Sequence, residues 1–253
     1  MRSERPAEIR LTGGNASGGD VVRVGDTVRK RWLPTTERTA DYLRALSARG
    51  IDVPLLQGRD ENGRQILDFI PGRLAMDDAP LGPALIGPVG QLVRRIHDAS
   101  ADVPLTDDWE VLIPAESPDL VCHNDLATWN LIIDGDRLVF IDWDGAGPST
   151  RLWDLAHAAI SFAHLFPGAG AQASAQRLRA FVAGYDADRD LRVRLPGTMA
   201  ERARAMHDLL RHSHAAGVQP WASMYVNGHG EHWAKTATYI AEHQTLWRRA
   251  LQR

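Results

Sequence analysis

Apolar residues recur at a spacing of two in the first third of the chain and at three or four in the last, so the sequence reads as strands first and helices afterwards. VVRV at 21–24 and TVRKRW at 27–32 flank Gly25-Asp26, two β-branched stretches about a two-residue turn, which predicts a β-hairpin. LTGGNASGG precedes it, with Gly13, Gly14, Gly18 and Gly19 in a loop. TERTADYLRALSARG at 36–50 puts Ala40, Leu43 and Leu46 on one helical face and stops at Gly50. QILDFIPG at 65–72 predicts an apolar strand ended by Pro71-Gly72, and Val89, Leu92, Val93 and Ile96 predict a helix over about 88–99. LII at 131–133 and RLVFI at 137–141 then flank Asp134-Gly135-Asp136, a second hairpin. Beyond residue 150 the stretches DLAHAAISFAHL, SAQRLRAFVAGY, ERARAMHDLLRHSHAAG and WAKTATYIAEHQTLWRRALQ are helical. The expected architecture is α+β in two lobes, a small β-rich lobe over 1–71 and a larger, mainly helical lobe over 72–253.

Composition narrows the class. The 253 residues are 44% hydrophobic and 24% charged with a net charge of −3, which makes no electrostatic case for nucleic acid or an anionic membrane. No run approaches the roughly 20 apolar residues that span a bilayer, and MRSERPAEIRL lacks the apolar core of a signal peptide. The lone cysteine, Cys122, suits a reducing compartment, so a cytoplasmic protein is expected. His207, His212 and His214 lie close in sequence, but without an H-E-x-x-H spacing they read as ordinary histidines. Cys122 and His123 are adjacent in an extended segment, where side chains point opposite ways, a poor geometry for a nucleophile and its base.

The densest chemistry is CHNDLATWNLIIDGDRLVFIDWD at 122–144. An antiparallel hairpin about Asp134-Gly135-Asp136 sets Asn130 opposite the region of Asp142, and the loop carrying Asp125 enters from the same end. An amide and a carboxylate side by side suit Mg²⁺, which takes few oxygen ligands from protein and the rest from water and phosphates. Asp125 is then free to accept a proton from a substrate hydroxyl and align it. Used singly, Asp and Asn most often serve turns; the three together argue for a site.

HNDLATWN resembles the catalytic loop of protein-kinase-like enzymes, and FIDWD stands where those enzymes carry a metal-binding Asp. The resemblance is to the aminoglycoside phosphotransferase family of small-molecule kinases, related to choline and homoserine kinases. The Gly-rich segment before the hairpin, LDFIPG, RRIHD and RLWDLAHA follow in the family's order, so the likeness covers about residues 10–165. It implies a two-lobed kinase fold and a phosphotransferase using ATP (GTP open as an alternative) and Mg²⁺, with Asp125 as catalytic base and Asn130 and Asp142 as metal ligands. It also implies a phosphate-binding cation, with Lys30 ahead of Arg29 and Arg31, and a helical carboxylate to pair with it, with Glu37 ahead of Asp41. Asp68 to Ile70 would offer backbone groups to the base of the nucleotide, His123 would brace the loop, and Asp154 would either support the loop or cap its helix. The family's acceptors are small hydroxylated metabolites or antibiotics, among them amino sugars, choline, homoserine and macrolides. The region from 201 on is richer in Arg, Lys and His than in acids, which disfavours polycationic aminoglycosides. Trp143-Asp144 and the lack of an A-P-E segment disfavour a protein kinase. Two other readings stand beside the kinase: a catalytically silent nucleotide-binding module, and a metal-dependent hydrolase, for which the N-terminal lobe would have no task.

Overall fold

The computed structural model describes residues 7–11, 21–106 and 109–252, so the expected glycine loop at 13–19 lies outside the described residues. Strands β1 (Ile9–Arg10), β2 (Val22–Val24) and β3 (Thr27–Lys30) lead into helix α1 (Thr36–Ala48), followed by β4 (Leu56–Arg59) and β5 (Gln65–Asp68). They form one antiparallel sheet in the order β1-β2-β3-β5-β4. The β2–β3 turn is Gly25-Asp26 with Val24 opposite Thr27, as the two-residue turn requires, and Gly25 supplies the positive φ. The strand expected at 65–72 pairs only as far as Asp68 before the chain turns out through Pro71-Gly72.

At Arg73 the chain joins a different sheet. β6 (Arg73–Leu74) pairs with β8, and after helix α2 (Pro83–Ser100) and β7 (Leu120–Cys122) the hairpin of β8 (Leu131–Asp134) and β9 (Arg137–Phe140) completes the order β6-β8-β9. β10 (Gly147–Ser149) pairs with β7. Then come α3 (Arg151–Phe162), α4 (Ala171–Tyr185), α5 (Arg189–Ala216), the short α6 (Trp221–Met224), α7 (Gly230–Glu242) and α8 (Gln244–Leu251). α5 begins well before the Glu201 expected from apolar spacing, and the last predicted helix is two, broken at His243. Among the described residues no helix is long and apolar enough to cross a membrane.

The two parts share one core. Tyr42, Leu43 and Leu46 of α1 pack with Ile86, Val89, Val93 and Ile96 of α2. Buried Tyr42 also hydrogen-bonds Ser100 Oγ at 2.8 Å and donates to Val121 O at 3.1 Å, so its hydroxyl does not cross the lobes unpaired. Deeper in the larger lobe, α2 and α4 meet backbone to backbone. A methyl built at Gly90 would overlap the Phe181 carbonyl and approach Tyr185 N to 2.8 Å, and one at Gly184 would overlap Gly87 O, so glycine is what lets the helices touch. A smaller cluster of Ile70, Ile132 and Val139, flanked by Leu74 and Ile141, lies under the connection between the lobes.

Candidate active site

The loop after β7 is built to hold one carboxylate in place. Asn124 adopts the left-handed conformation (φ 65°), one that short polar side chains tolerate better than others. Its amide donates to Gly145 O at 3.1 Å and Gly147 O at 3.2 Å, tying the loop to the strand approaching α3. Leu126 and Ala127 are fully buried, and Thr128 N donates to Ser161 Oγ at 3.0 Å. His123 Nε2 donates to Ile141 O at 3.1 Å while Nδ1 accepts from Asp125 N at 3.3 Å. One nitrogen gives and the other receives, so His123 is a neutral brace between loop and hairpin, as expected.

Asp154 supports the loop and does not cap its helix. Its Oδ1 accepts from Asn124 N at 2.8 Å and its Oδ2 from His97 Nε2 at 3.0 Å, while Tyr185 Oη sits 2.8 Å from His97 Nδ1. The helix cap is Thr150, whose hydroxyl accepts from Trp153 N at 3.1 Å. Burial pushes the Asp154 carboxyl up, but the hydrogen bond from His97 and its electrostatic contact outweigh it and hold it below the ordinary carboxylate value.

Asp125 lies between three donors. His157 Nε2 is 3.0 Å from Oδ1; Asn130 Nδ2 at 2.8 Å and Trp129 Nε1 at 3.2 Å reach Oδ2. Asn130 Nδ2 also donates to the Asp125 carbonyl at 3.0 Å. Burial raises the Asp125 pKa, yet the hydrogen bonds from His157 and Trp129 outweigh burial, so the carboxyl is held ionised below its usual range.

The hairpin register brings Asn130 to the region of Asp142, as expected from the turn. Leu131 pairs with Phe140 and Asp134 with Arg137, about a Gly135-Asp136 turn, and Ile141 N donates to Asn130 O at 2.8 Å. The two-residue turn puts Asn130 opposite Ile141, with Asp142 one residue on. Asp142 is left-handed (φ 58°), which turns its side chain toward β3.

There it meets Lys30. Lys30 Nζ contacts Asp142 Oδ1 at 2.9 Å and Asp144 Oδ1 at 2.7 Å, and is almost fully buried. Burial alone would lower the ammonium pKa; the two carboxylates raise it further than burial lowers it. Burial and the Asp142 charge raise the Asp144 carboxyl against Lys30. Arg29 points to the other face, bonded to Thr27 Oγ1 and paired with Asp60 at 3.8 Å, and Arg31 is exposed. Strand alternation therefore turns only the middle cation into the cleft.

Glu37 corrects the expectation. It is exposed, and the ion pairs of Lys30 are made to Asp142 and Asp144. The face of α1 turned to Lys30 carries Thr36, Thr39, Ala40 and Leu43, and Glu37, one residue from Thr36, is rotated away from it. The rival Asp41 pairs with Arg44 at the surface.

Lys30, Asp68, Ile70, Asn130 and Asp142 line one cavity of about 430 Å³ between the lobes. Val21 and Val28 cover it from one side and Ile132 and Ile141 from the other. Asp68 turns its carboxylate away, accepting from Leu55 N at 3.0 Å and Gln57 Nε2 at 2.8 Å, so backbone is what the segment offers the cleft. Asn130 commits its amide nitrogen to Asp125, which leaves its oxygen for a cation in the cleft; with Asp142 and Asp144 this is the hard-oxygen set that Mg²⁺ takes.

Other candidates fall away. The His214 ring stacks on Tyr225 and His207 lies beside Asp208; neither joins a metal-sized cluster among the described residues. The one such cluster, His97, Cys122 and Asp154, is buried, its His and Asp already bonded to each other, and burial pushes the Cys122 thiol well up, away from nucleophile or ligand. Sequence reasoning missed Asp144, His157 and Arg202. Asp144 lies two residues past Asp142 and His157 three past Asp154 on one helix face, both legible spacings. Arg202, on α5, carried no local signal.

Residues 105–191, which hold Asp125, Asn130, Asp142, Asp144, Asp154 and His157, match the phosphotransferase enzyme family (APH). Over 44 residues the chain is 48% identical to protein LicA of Haemophilus influenzae, a stretch covering 17% of this chain and 16% of that protein. Its fold is similar to a choline/ethanolamine kinase family protein from Mesorhizobium loti, with a TM-score of 0.66 at 16% identity over 98% of this chain and 94% of that one. It is also similar to amicoumacin kinase hAmiN, solved in complex with AMP-PNP, Ca²⁺ and Ami, with a TM-score of 0.64 at 14% identity over 93% and 88%. The resemblance to the aminoglycoside phosphotransferases, and the two-lobed protein-kinase-like fold, are borne out.

Proposed function

For a chain that matches the phosphotransferase enzyme family across its catalytic loop, we propose transfer of the terminal phosphoryl group of Mg²⁺·ATP to a hydroxyl of a small molecule. One observation carries the reading: Lys30, Asn130 and Asp142 line a single apolar-walled cleft, and Asn130 also donates a hydrogen bond to the Asp125 carboxylate. Residues 1–71 form the nucleotide-binding lobe; 72–253 supply the catalytic loop and the acceptor site. Val21 and Val28 on one side and Ile132 and Ile141 on the other, with the backbone of Asp68 to Ile70, would hold the base of ATP or GTP. Lys30 meets the phosphates, and Asn130 and Asp142 hold Mg²⁺, which when bound neutralises phosphate charge. Glu37 has no part in pairing Lys30.

Asp125 accepts a hydrogen bond from the acceptor hydroxyl and aligns it. The hydroxyl oxygen forms the new bond to the γ-phosphorus as the bond to the β,γ-bridging oxygen breaks. ADP leaves, and the hydroxyl proton passes to Asp125 or through it to solvent. The carboxylate is poised for this by its three donors, which keep it ionised and oriented. A silent nucleotide-binding module has no physical need for Asp125, Asn130 and Asp142 together. An aminoglycoside-type antibiotic kinase is the narrower alternative, disfavoured by the basic C-terminal region.

The test combines thermal shift with Mg²⁺·ATP and a phosphorylation screen over hydroxylated amines, sugars, amino acids and antibiotics. Asp125→Ala is expected to bind nucleotide normally and lose transfer; Asp142→Ala is expected to lose metal-dependent nucleotide binding. Equal loss of nucleotide affinity in both contradicts the division of roles. Nucleotide binding with no turnover on any acceptor, unaltered by Asp125→Ala, returns the protein to the silent module.

A further inference from the structure

His157 is fully buried on α3, three residues after Asp154 and so on the same helix face. Its Nε2 lies 3.0 Å from Asp125 Oδ1, and an ionised carboxylate only accepts, so Nε2 carries the proton. The ring is held on both sides: Trp233 stacks on it at 5.9 Å and 23°, and Trp129 meets it edge-on at 6.1 Å and 73°. Trp129 also donates to the other oxygen of Asp125, so two neighbouring rings grip one carboxylate from opposite ends.

The far side of the ring explains why it is neutral. His157 Nδ1 is buried without a hydrogen-bond partner, and so is Nη1 of Arg202, itself almost fully buried on α5. Arg202 Nη2 donates to the Asn124 carbonyl at 3.1 Å, one residue before Asp125. A second proton on the imidazole would place an unsatisfied buried donor beside a buried cation. Burial and the Arg202 charge accordingly hold the imidazole below its ordinary pKa. Arg202 is pulled down to about 10 by burial, against the charges of Asp125 and Asp154.

We propose that His157 is a positioning residue for transfer: as a neutral Nε2–H donor clamped between Trp129 and Trp233, it fixes the Asp125 carboxylate in the orientation that receives the acceptor hydroxyl. This rests on the role of Asp125 given above. The carboxylate needs such a clamp because its side chain is 38% exposed and would otherwise rotate about its own bond. With Oδ1 held by His157 and Oδ2 by Asn130 and Trp129, its plane has one setting. Misplacing a reacting group by an ångström costs about a hundredfold in rate, so the clamp belongs in the turnover number and not in nucleotide affinity.

The experiment compares His157→Gln, whose terminal amide reaches about as far as Nε2, with His157→Asn, whose amide stops near the position of Nδ1. Both are assayed as full chains for Mg²⁺·ATP hydrolysis with water as acceptor, with ATP affinity measured separately. Expected are turnover within about threefold of the parent for Gln and a loss of about 10- to 100-fold for Asn, with nucleotide affinity within about twofold in both. In ¹⁵N-histidine spectra of the parent, His157 should appear as the Nε2–H tautomer, its proton signal shifting on Asp125→Asn. Equal turnover in the Gln and Asn variants, or an Nδ1–H tautomer, overturns the positioning role and leaves the phosphotransferase reading standing. Unchanged hydrolysis in Asp125→Ala overturns the reading itself, and the clamp with it.

Discussion

Removing the Asp154 carboxylate tests whether the loop carrying Asp125 is held from beneath. The side chain is 1% exposed and accepts from Asn124 N at 2.8 Å and His97 Nε2 at 3.0 Å. Asp154→Ala leaves two buried donors without acceptors, at about 1–3 kcal/mol each. Breaking one partner out of a buried pair costs about 3–5 kcal/mol, so the sum should fall near 4 kcal/mol. Asp154→Asn is the sharper probe. Its oxygen still takes the Asn124 N–H, but its amide nitrogen now faces His97 Nε2. The imidazole can answer by moving its proton to Nδ1, which then donates to Tyr185 Oη, 2.8 Å away. Every group stays bonded and only the charge assistance is lost, about 1–2 kcal/mol. Urea unfolding followed by tryptophan fluorescence measures both, and Mg²⁺·ATP turnover reports whether Asp125 has moved. An alanine variant within about 1 kcal/mol of the parent, or an asparagine variant as costly as alanine, would refute the reasoning.

Three other predictions follow from the packing and the charges. Gly90→Ala and Gly184→Ala should each cost about 1–3 kcal/mol or more by forcing α2 from α4, whereas Gly87→Ala, whose methyl meets nothing within 4 Å, should be near neutral; at about 2–4 °C per kcal/mol, thermal melts separate them. Lys30→Ala leaves Asp142 and Asp144 together without their cation, and because both carboxylates are about a quarter exposed the loss should sit near 2–3 kcal/mol. Mg²⁺ should then raise the melting temperature of that variant more than that of the parent, and equal shifts would speak against a shared cation site. Burial lowers the pKa of His157, His164 and His232, so the folded state prefers them neutral. That preference is fully present above the unfolded value of about 6.5 and is lost as pH falls through the depressed folded values. Melting temperature should therefore drop between about pH 6.5 and 5, and Asp125 and Asp154, also lowered, should add a second loss below about pH 4. A flat profile from pH 7 to 5 contradicts the buried, neutral imidazoles.

Local pattern was enough for whatever depends on neighbours in sequence. The β2–β3 hairpin follows from Gly25-Asp26 between β-branched runs, α1 from Ala40, Leu43 and Leu46, and α2 from the spacing of Val89 to Ile96, since each side chain's face is set by its own backbone. The cluster of Asp125, Asn130 and Asp142 was legible for the same reason, because one turn brings its members together. Which carboxylates meet Lys30 was not legible. That depends on how the β-sheet lobe settles on the helical lobe, and it put Asp142 and Asp144 where Glu37 had been expected. The same holds for the acceptors and donors around Asp125. His157 comes from α3, Arg202 from α5 and Trp233 from α7, elements far apart in the chain whose meeting is fixed by helix packing. Short-range geometry wrote the loop of Asp125 and Asn130 into the sequence; the long-range packing of the helices decided what surrounds it.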